Sequence, residues 1–520
     1  MRFYHNTSQA GRQAMGILLG LCLLEFVIIL LANQGHFMFT LDDPYIHLAL
    51  AENLIHGHYG VNLQEFSSPS SSIIWPFLIA PFTLLSVAPY GVLLLNLLFA
   101  SVAVLVAARI IGFSSAQLAQ PLSQRLQLLL LVGFIWLSNL VGLIFTGMEH
   151  SLQLLLCTTI VYGVIQFLHS GAASRWLLLA IVAAPLVRYE CLAVSAPALL
   201  LLLLYGQWRT SLLTGAVLAL GLLGFSLFLQ HLGLDYLPSS VMVKSSVASS
   251  GLGKILANLG SHYSRPKAAM MLLASFVLVL LSLSPKLSAA HRRLAGFAIL
   301  MVWLHLCFGR FGWYFRYEIY AWACLWLVLV TVLAAAIQQL TQGMSKKAGA
   351  AVFAAFLLFV CVEHLWVFVT TPISANNIYR QQYQMHRLVT EFYKKPVAVN
   401  DLGWVAYQNS EYVLDLWGLA SKEALQLRKN ETSADWMERL CAEHSVELIM
   451  IYHPYERWFA EVPASWQRIG QLNLGVLPVT AGKPEVSFFI RSGQHRAEIR
   501  ATLEAFAKTL PQYSSFVFDN

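Results

Sequence analysis

The chain has 520 residues, of which 58% are hydrophobic and only 11% charged, and its mean hydropathy is +0.63. A soluble domain carries roughly twice that charged fraction, so the composition excludes an ordinary soluble protein and points to a polytopic membrane protein. The net charge of +7 does not indicate nucleic acid, because Lys and Arg are scattered and form no basic arm; they read as topology markers in a lipid bilayer.

The first apolar run, 14–32, follows Arg2 and Arg12 and ends in "LLANQGHF", a poor cleavage site, so it reads as a retained helix. Further runs lie at about 72–88, 90–111, 126–145, 148–168, 175–187, 190–206, 211–230, 268–284, 294–309, 317–340 and 348–370. Each approaches the ~20 residues that cross a bilayer. The run 72–88 carries Pro76 and Pro81 behind "SSPSSS" and reads as juxtamembrane or re-entrant. About eleven spans remain. With the N-terminus inside, the loops holding Arg109, Arg125, Arg175, Arg209, Lys286, Arg292, Arg293, Lys346 and Lys347 become cytoplasmic. The acidic 34–89 segment, the 232–267 loop and residues 371–520 are then outside. The expected fold is an α-helical polytopic membrane module over 1–370, with juxtamembrane helices, followed by an extracytoplasmic soluble α/β domain over 371–520. The compartment expected is the bacterial cytoplasmic membrane.

Between the first and second spans stands "FTLDDPYIHLALAENLIHGHYG". Asp43-Pro44 is a helix-start signal, Asp as N-cap and Pro in the first turn. Ile46, Leu50 and Leu54 fall on one stripe, which predicts a short interfacial helix. If Asp43 caps that helix, its carboxylate is occupied by backbone N–H groups, and Asp42 is free to point elsewhere. The pair is either solvated loop, a general base at the water–lipid boundary, or, with His47, His56 or His58, a metal site. A divalent metal is therefore left open.

In the last 150 residues, "PVAVND", "EYVLDL", "VELIMIY" and "VSFFIR" read as strands, and "TSADWMERLCAEHS" and "RAEIRATLEAFAKTL" as helices. Of seven cysteines only Cys441 lies there, so that region holds no internal disulfide, and no CxxC spacing occurs. Asp401 and Asp415 follow strands, where acids commonly cap turns.

"LDDPYIHLALAENLIHGHYGVN", "SSPSSSIIWPFLIAPF", "FTGMEHSL", "LVRYE" and "NDLGWVAY…VLDLWGL", in that order, resemble the GT-C glycosyltransferase superfamily. The resemblance is to its polyprenyl-phosphate-sugar branch, which includes protein mannosyltransferases, aminoarabinose lipid A transferases and arabinofuranosyltransferases. It implies inverting transfer from a polyprenyl-phosphate-linked sugar donor to an extracytoplasmic acceptor glycan, lipid or protein, with the first Asp of the pair, Asp42, as base. This chain reads Gly147-Met148-Glu149-His150 where relatives read G-L-E-T, and Arg188-Tyr189-Glu190-Cys191 where some read R-P-E-G.

Such a transfer needs a base, here Asp42 with Asp43 beside it, and cations to receive the phosphate charge of the leaving lipid. Arg188, Lys244, Arg310 and Arg316 are the outer-facing candidates in this topology. Glu149, Glu190, His150 and Tyr314 are candidate substrate contacts. Thr146 to Glu149 also matches a capping box, which accounts for Glu149 without chemistry, and Glu190 is spaced to pair with Arg188. His262 reads as polar lining; Trp313, Tyr314 and Tyr317 read first as an interface belt. The rival readings are a polyprenyl-diphosphate ligase, which would want a divalent metal, a lipid-linked sugar transporter, and an inactive assembly partner. A transporter commonly carries internal repeats, and none is visible.

Overall fold

The computed structural model describes residues 8–85, 87–244, 253, 258–261, 265–342, 345–431, 433–454, 459 and 461–519. Within them the chain forms two compact units. One comprises residues 1–24, 93–224 and 246–369, and the other residues 25–92, 225–245 and 370–520. The second unit thus joins the C-terminal residues to the acidic loop and to part of the 232–267 loop, segments that the sequence reading assigned to the membrane module.

Six described helices are long and apolar enough to cross a membrane: Gln9–Ala32, Ala88–Ala116, His150–Ser170, Trp208–His231, Pro266–Leu283 and Leu358–Tyr393. Ile319–Val332 and Ala334–Gln342 make a seventh if counted as one span, bent by 67°. The expectation of about eleven is corrected, for local reasons. The run 126–145 is broken at Asn139, whose φ of 44° lies in the left-handed region, into Gln124–Leu137 and Leu140–Phe145. The runs 175–187 and 190–206 become the helices Arg175–Val187 and Leu192–Leu204, interrupted by Arg188 in extended conformation. Thirteen residues rise only about 20 Å. Trp75–Thr83 has nine residues, with Ser72 Oγ accepting the Trp75 N–H at its start. Ala289–Phe308 is long enough but carries Arg292, Arg293 and two histidines. With six or seven spans, parity no longer fixes the side of residues 371–520.

In the first unit His150–Ser170 packs on Arg175–Val187 and on Ile319–Val332, and Ala289–Phe308 packs on Pro266–Leu283, Leu192–Leu204 and Ile319–Val332. Gly163 permits the first of these contacts, since a Cβ there would fall 2.6 Å from Leu177 Cβ.

The second unit contains a six-stranded sheet: β1 Val397–Val399, β2 Val413–Asp415, β3 Leu448–Ile451, β4 Gln467–Asn473, β5 Glu485–Ile490 and β6 Ser515–Phe518. Their order is β2-β1-β3-β5-β4-β6. The first three are parallel, with Ala398 opposite Leu414 on one side and Ile449 on the other; β5, β4 and β6 continue antiparallel. The four strand segments and two helices expected from sequence are present, the helices as Asp435–Glu443 and Arg496–Ala507. One face of the sheet packs Leu414, Ile449 and Ile451 against Trp436, Leu440 and Cys441. Asn62, from the acidic loop, bonds the free edge at β2: its Nδ2 donates to Val413 O and its Oδ1 accepts the Val413 N–H, both at 3.0 Å. The helix Asp43–Leu54 is seated by Leu50, which packs with Tyr59, Phe225, Leu229 and Leu234.

Gly475, between β4 and β5, has φ 74° and a Cβ there would overlap the Tyr513 carbonyl. Left-handed backbone alone costs an ordinary residue about 1–2 kcal/mol. Gly475→Ala is therefore expected to lower the Tm of the detergent-solubilised protein by several degrees, read by differential scanning fluorimetry; an unchanged Tm would contradict this packing.

Candidate active site: an aspartate pair and a guanidinium cluster

The helix after the acidic turn begins at Asp43 with Pro44 in its first turn, as the sequence predicts, but the N-cap position falls on Asp42 and not on Asp43. Asp42 occupies the N-cap position and makes no side-chain bond to its own helix. Its carboxylate instead receives the N-terminal amides of the short helix Gly403–Ala406. The Gly403 N–H donates to Oδ2 at 2.7 Å and the Trp404 N–H to Oδ1 at 2.9 Å. Asp42 is buried, and Asp43 is half-buried beside it. Asp42 thus points away from its own helix, as expected, and is held there: its two oxygens each accept one amide donor and each keep one further acceptor direction.

The sequence "NDLGWVAY" builds this seat. Gly403 must lack a side chain, because a Cβ there would fall 2.6 Å from both Cγ and Oδ2 of Asp42. Asn400 Oδ1 accepts the Tyr452 N–H at 2.8 Å, tying the end of β1 to the end of β3. Asp401 lies near enough to Asp42 for each carboxyl to act on the other's charge. Asp401 Oδ2 also accepts from Gln382 Nε2 at 2.8 Å and lies 3.2 Å from the Tyr452 hydroxyl, which donates to Gln381 Oε1 at 2.7 Å. Trp404 stacks on Tyr45 at 4.2 Å and meets Tyr383, His386 and Tyr407 edge-on or tilted. Gln381, Gln382, Gly403, Trp404 and Tyr452 escaped the sequence reading; the glycine directly before an aromatic and after two polar residues at a strand end was the one available signal.

The place is one where parallel sheets bind ligands. Chain connections leave β1 and β3 toward opposite edges, and the crevice outside their carboxyl ends is a topological switch point. Asp401 follows β1 and Tyr452 follows β3. Burial raises Asp42 well above the ordinary carboxylate range; Asp401 adds to this, the two amides oppose it, and Asp43 adds more weakly. Burial likewise raises Asp401. The two carboxyls titrate as a unit that holds its proton more tightly than either would alone. Asp415 differs: its oxygens accept the Trp417 and Ala420 N–H groups, a turn cap, and burial pushes it up to about 6.

Of the histidines considered for metal, His58 Nε2 lies 2.8 Å from Asn62 O and 2.9 Å from Glu65 O, which makes it part of the loop's own framework. Among the described residues no group of three or more His, Cys, Asp or Glu is arranged to hold a metal ion.

The first unit gathers most of the remaining predicted residues around Tyr317. Arg188 Nη1 donates to Glu149 at 2.6 Å and Nη2 to Glu190 at 2.8 Å, with Arg188 and Glu149 buried. The capping box expected at Thr146 and Glu149 does not form: the Thr146 hydroxyl donates back to Leu143 O, and Glu149 serves Arg188. The guanidinium carbons of Arg316, Arg310 and Arg188 lie 5.2, 5.5 and 5.6 Å from the Tyr317 ring centre. Arg316 is buried and Arg310 exposed. His150 meets the same ring edge-on at 6.4 Å, with Nδ1 3.0 Å from Gln153 Oε1. Tyr317 is thus no belt residue, whereas Trp313 is exposed.

Gly312, Trp313, Tyr314 and Phe315 all have positive φ, from 45° to 91°. This left-handed turn separates Arg310 from Arg316. It is held by the Gly312 N–H donating to Glu318 Oε2 at 3.0 Å and by Arg265 Nη1 donating to Phe311 O at 2.9 Å. Consecutive strained residues persist where surroundings over-determine them, often in functional turns. Tyr314 uses its backbone carbonyl to accept from Asn139 Nδ2 and its hydroxyl to donate to Val367 O, so it acts here as a brace. Lys244 ends the helix Ser239–Lys244, with its side chain outside the described residues, as is His262.

A family described as a domain of unknown function (DUF8728) matches residues 376–489. Gln381, Gln382, Asp401, Gly403, Trp404 and Tyr452, the whole C-terminal side of the Asp42 seat, fall within that span. No curated protein matches the chain.

Folded-state values for Asp42 and Asp401 above the ordinary 3.8 mean that the native state binds protons more tightly than the unfolded chain. Stability is then full below that value and falls as pH rises through the raised values. The wild-type Tm is expected to fall as pH increases from about 4 toward neutrality, and Asp401→Asn, which removes one ionisation, flattens the fall. An identical slope in both proteins would contradict the pairing. Gly403→Ala is expected to lower Tm and expose the Asp42 loop to proteolysis, whereas unaltered protection would show that the close approach is not needed.

Proposed function

We propose that the chain is a membrane glycosyltransferase that moves a sugar from a polyprenyl-phosphate donor to an extracytoplasmic acceptor. The observation that carries this reading is the buried Asp42 carboxylate, fixed by two backbone amides in a switch-point crevice with its basicity raised by burial and by Asp401. A carboxylate held in a fixed place by two amides, its basicity raised by burial, suits general-base work.

In this reading the acceptor hydroxyl gives its proton to Asp42 as its oxygen attacks the anomeric carbon. The bond from that carbon to the phosphate oxygen breaks, and its electron pair leaves on the lipid phosphate. The configuration inverts because attack and departure occur on opposite faces. The charge that develops on the departing phosphate calls for cations beside it. The orientation that puts the acidic loop outside the bacterial cytoplasmic membrane belongs to the same proposal and is supported by the absence of Lys and Arg from residues 34–71.

The test is transfer from a labelled extract of polyprenyl-phosphate sugars by the reconstituted protein. Asp42→Asn is expected to lower the rate by about 10²–10⁴-fold with donor binding unchanged. Activity should survive EDTA, which separates this chemistry from a metal-dependent diphosphate ligase. Undiminished transfer by the correctly folded Asp42→Asn protein would overturn the assignment.

A further inference from the structure

Within the first unit and away from its guanidinium cluster, the helices Leu192–Leu204 and Ala289–Phe308 leave a groove of about 440 Å³ where the end of the first meets the start of the second. Its walls are Leu200, Leu201, Leu204, Phe297 and Leu300, and Gly296 lies between them. Leu200 and Leu204 are 41% and 63% exposed, so the wall is not covered by the unit itself. At one end stand Arg292 and Arg293 beside Tyr205. The Arg293 guanidinium lies 4.0 Å over the Tyr205 ring, and Arg292 Nη1 donates to Leu287 O at 3.1 Å, which fixes both cations at the rim. Among the described residues lining the groove there is no Asp or Glu.

An apolar trench closed at one end by two cations and no anion is complementary to one kind of molecule. That molecule has a negatively charged head and a hydrocarbon tail. We infer that this groove holds an anionic glycerophospholipid of the surrounding bilayer, its phosphate against Arg292 and Arg293 and one acyl chain along the leucine wall. Basic pockets between membrane helices bind anionic headgroups in this way. The tyrosine and the paired arginines fit the headgroup level of a membrane, where aromatic and cationic side chains concentrate. The leucines fit the tail below it. The site is separate from the proposed chemistry, and its expected consequence is to brace the contact between the two helices.

Native mass spectrometry of the purified full-length protein tests this with phosphatidylglycerol, phosphatidylethanolamine and polyprenyl monophosphate at equal concentration. Retention of phosphatidylglycerol at least about tenfold above phosphatidylethanolamine, a difference of roughly 1.4 kcal/mol, is expected. R292Q/R293Q should lose that preference. Gly296→Trp provides a second arm: a Cβ at Gly296 meets open space, so the indole can enter the groove without displacing the backbone, and lipid retention should fall with both arginines intact. Equal retention of the two phospholipids, preference kept in both variants, or displacement of phosphatidylglycerol by polyprenyl monophosphate would each overturn the assignment.

Discussion

Two backbone N–H groups and one carboxylate organise the second unit of this molecule. Gly403 and Trp404 present the open end of a helical turn, where amides lack partners within the helix, and Asp42 supplies the acceptor. The bond joins residues more than 350 positions apart, and it constrains everything near it. Gly403 can carry no side chain. Trp404 must lie flat enough to meet Tyr45. Asp401 is brought against a second carboxyl in a buried place, where two negative charges are mutually unfavourable and the pair keeps its proton more tightly than a solvated acid. The acidic loop and the C-terminal sheet therefore form one folded unit, and the crevice beyond β1 and β3 is filled by a loop residue as well as by the sheet's own side chains.

The guanidinium cluster follows a related logic with opposite sign. A buried arginine is costly without anions and hydrogen-bond acceptors. Arg188 has both Glu149 and Glu190 within ion-pair distance, which explains why "FTGMEH" and "LVRYE" contain acids in otherwise apolar surroundings. The remaining cations flank a left-handed turn and approach the face of Tyr317, a favourable arrangement for guanidinium groups.

Much of this was legible in the sequence, and the reasons for success and failure are physical. The Asp43–Leu54 helix was readable because Asp-Pro and an apolar stripe are local signals. The strands β1, β2, β3 and β5 were readable because they are runs of branched and aromatic residues. β4, "QRIGQLN", and β6, "SFVF", were missed because β6 lies at the sheet edge and is only half-buried, while β4 alternates with polar residues and contains Gly470 at a bulge. The number of spans was overcounted because hydropathy does not register Asn139 in a left-handed conformation or an extended Arg188. The capping assignments of Asp43 and Glu149 failed because a short motif counts only local donors and acceptors: the N-cap position falls on Asp42, and the Glu149 carboxylate turned to Arg188, 39 residues away. Gln382 and Tyr452 were invisible on the same ground.

The account stands on Asp42 acting as a base in sugar transfer, and the most direct measurement is mass spectrometry of envelope glycans from three strains: wild type, deletion, and one producing the Asp42→Asn protein at wild-type level. The account predicts that the deletion and the Asp42→Asn strain lack the same sugar from the same acceptor. A wild-type glycan profile in the Asp42→Asn strain, with the deletion deficient, would contradict it.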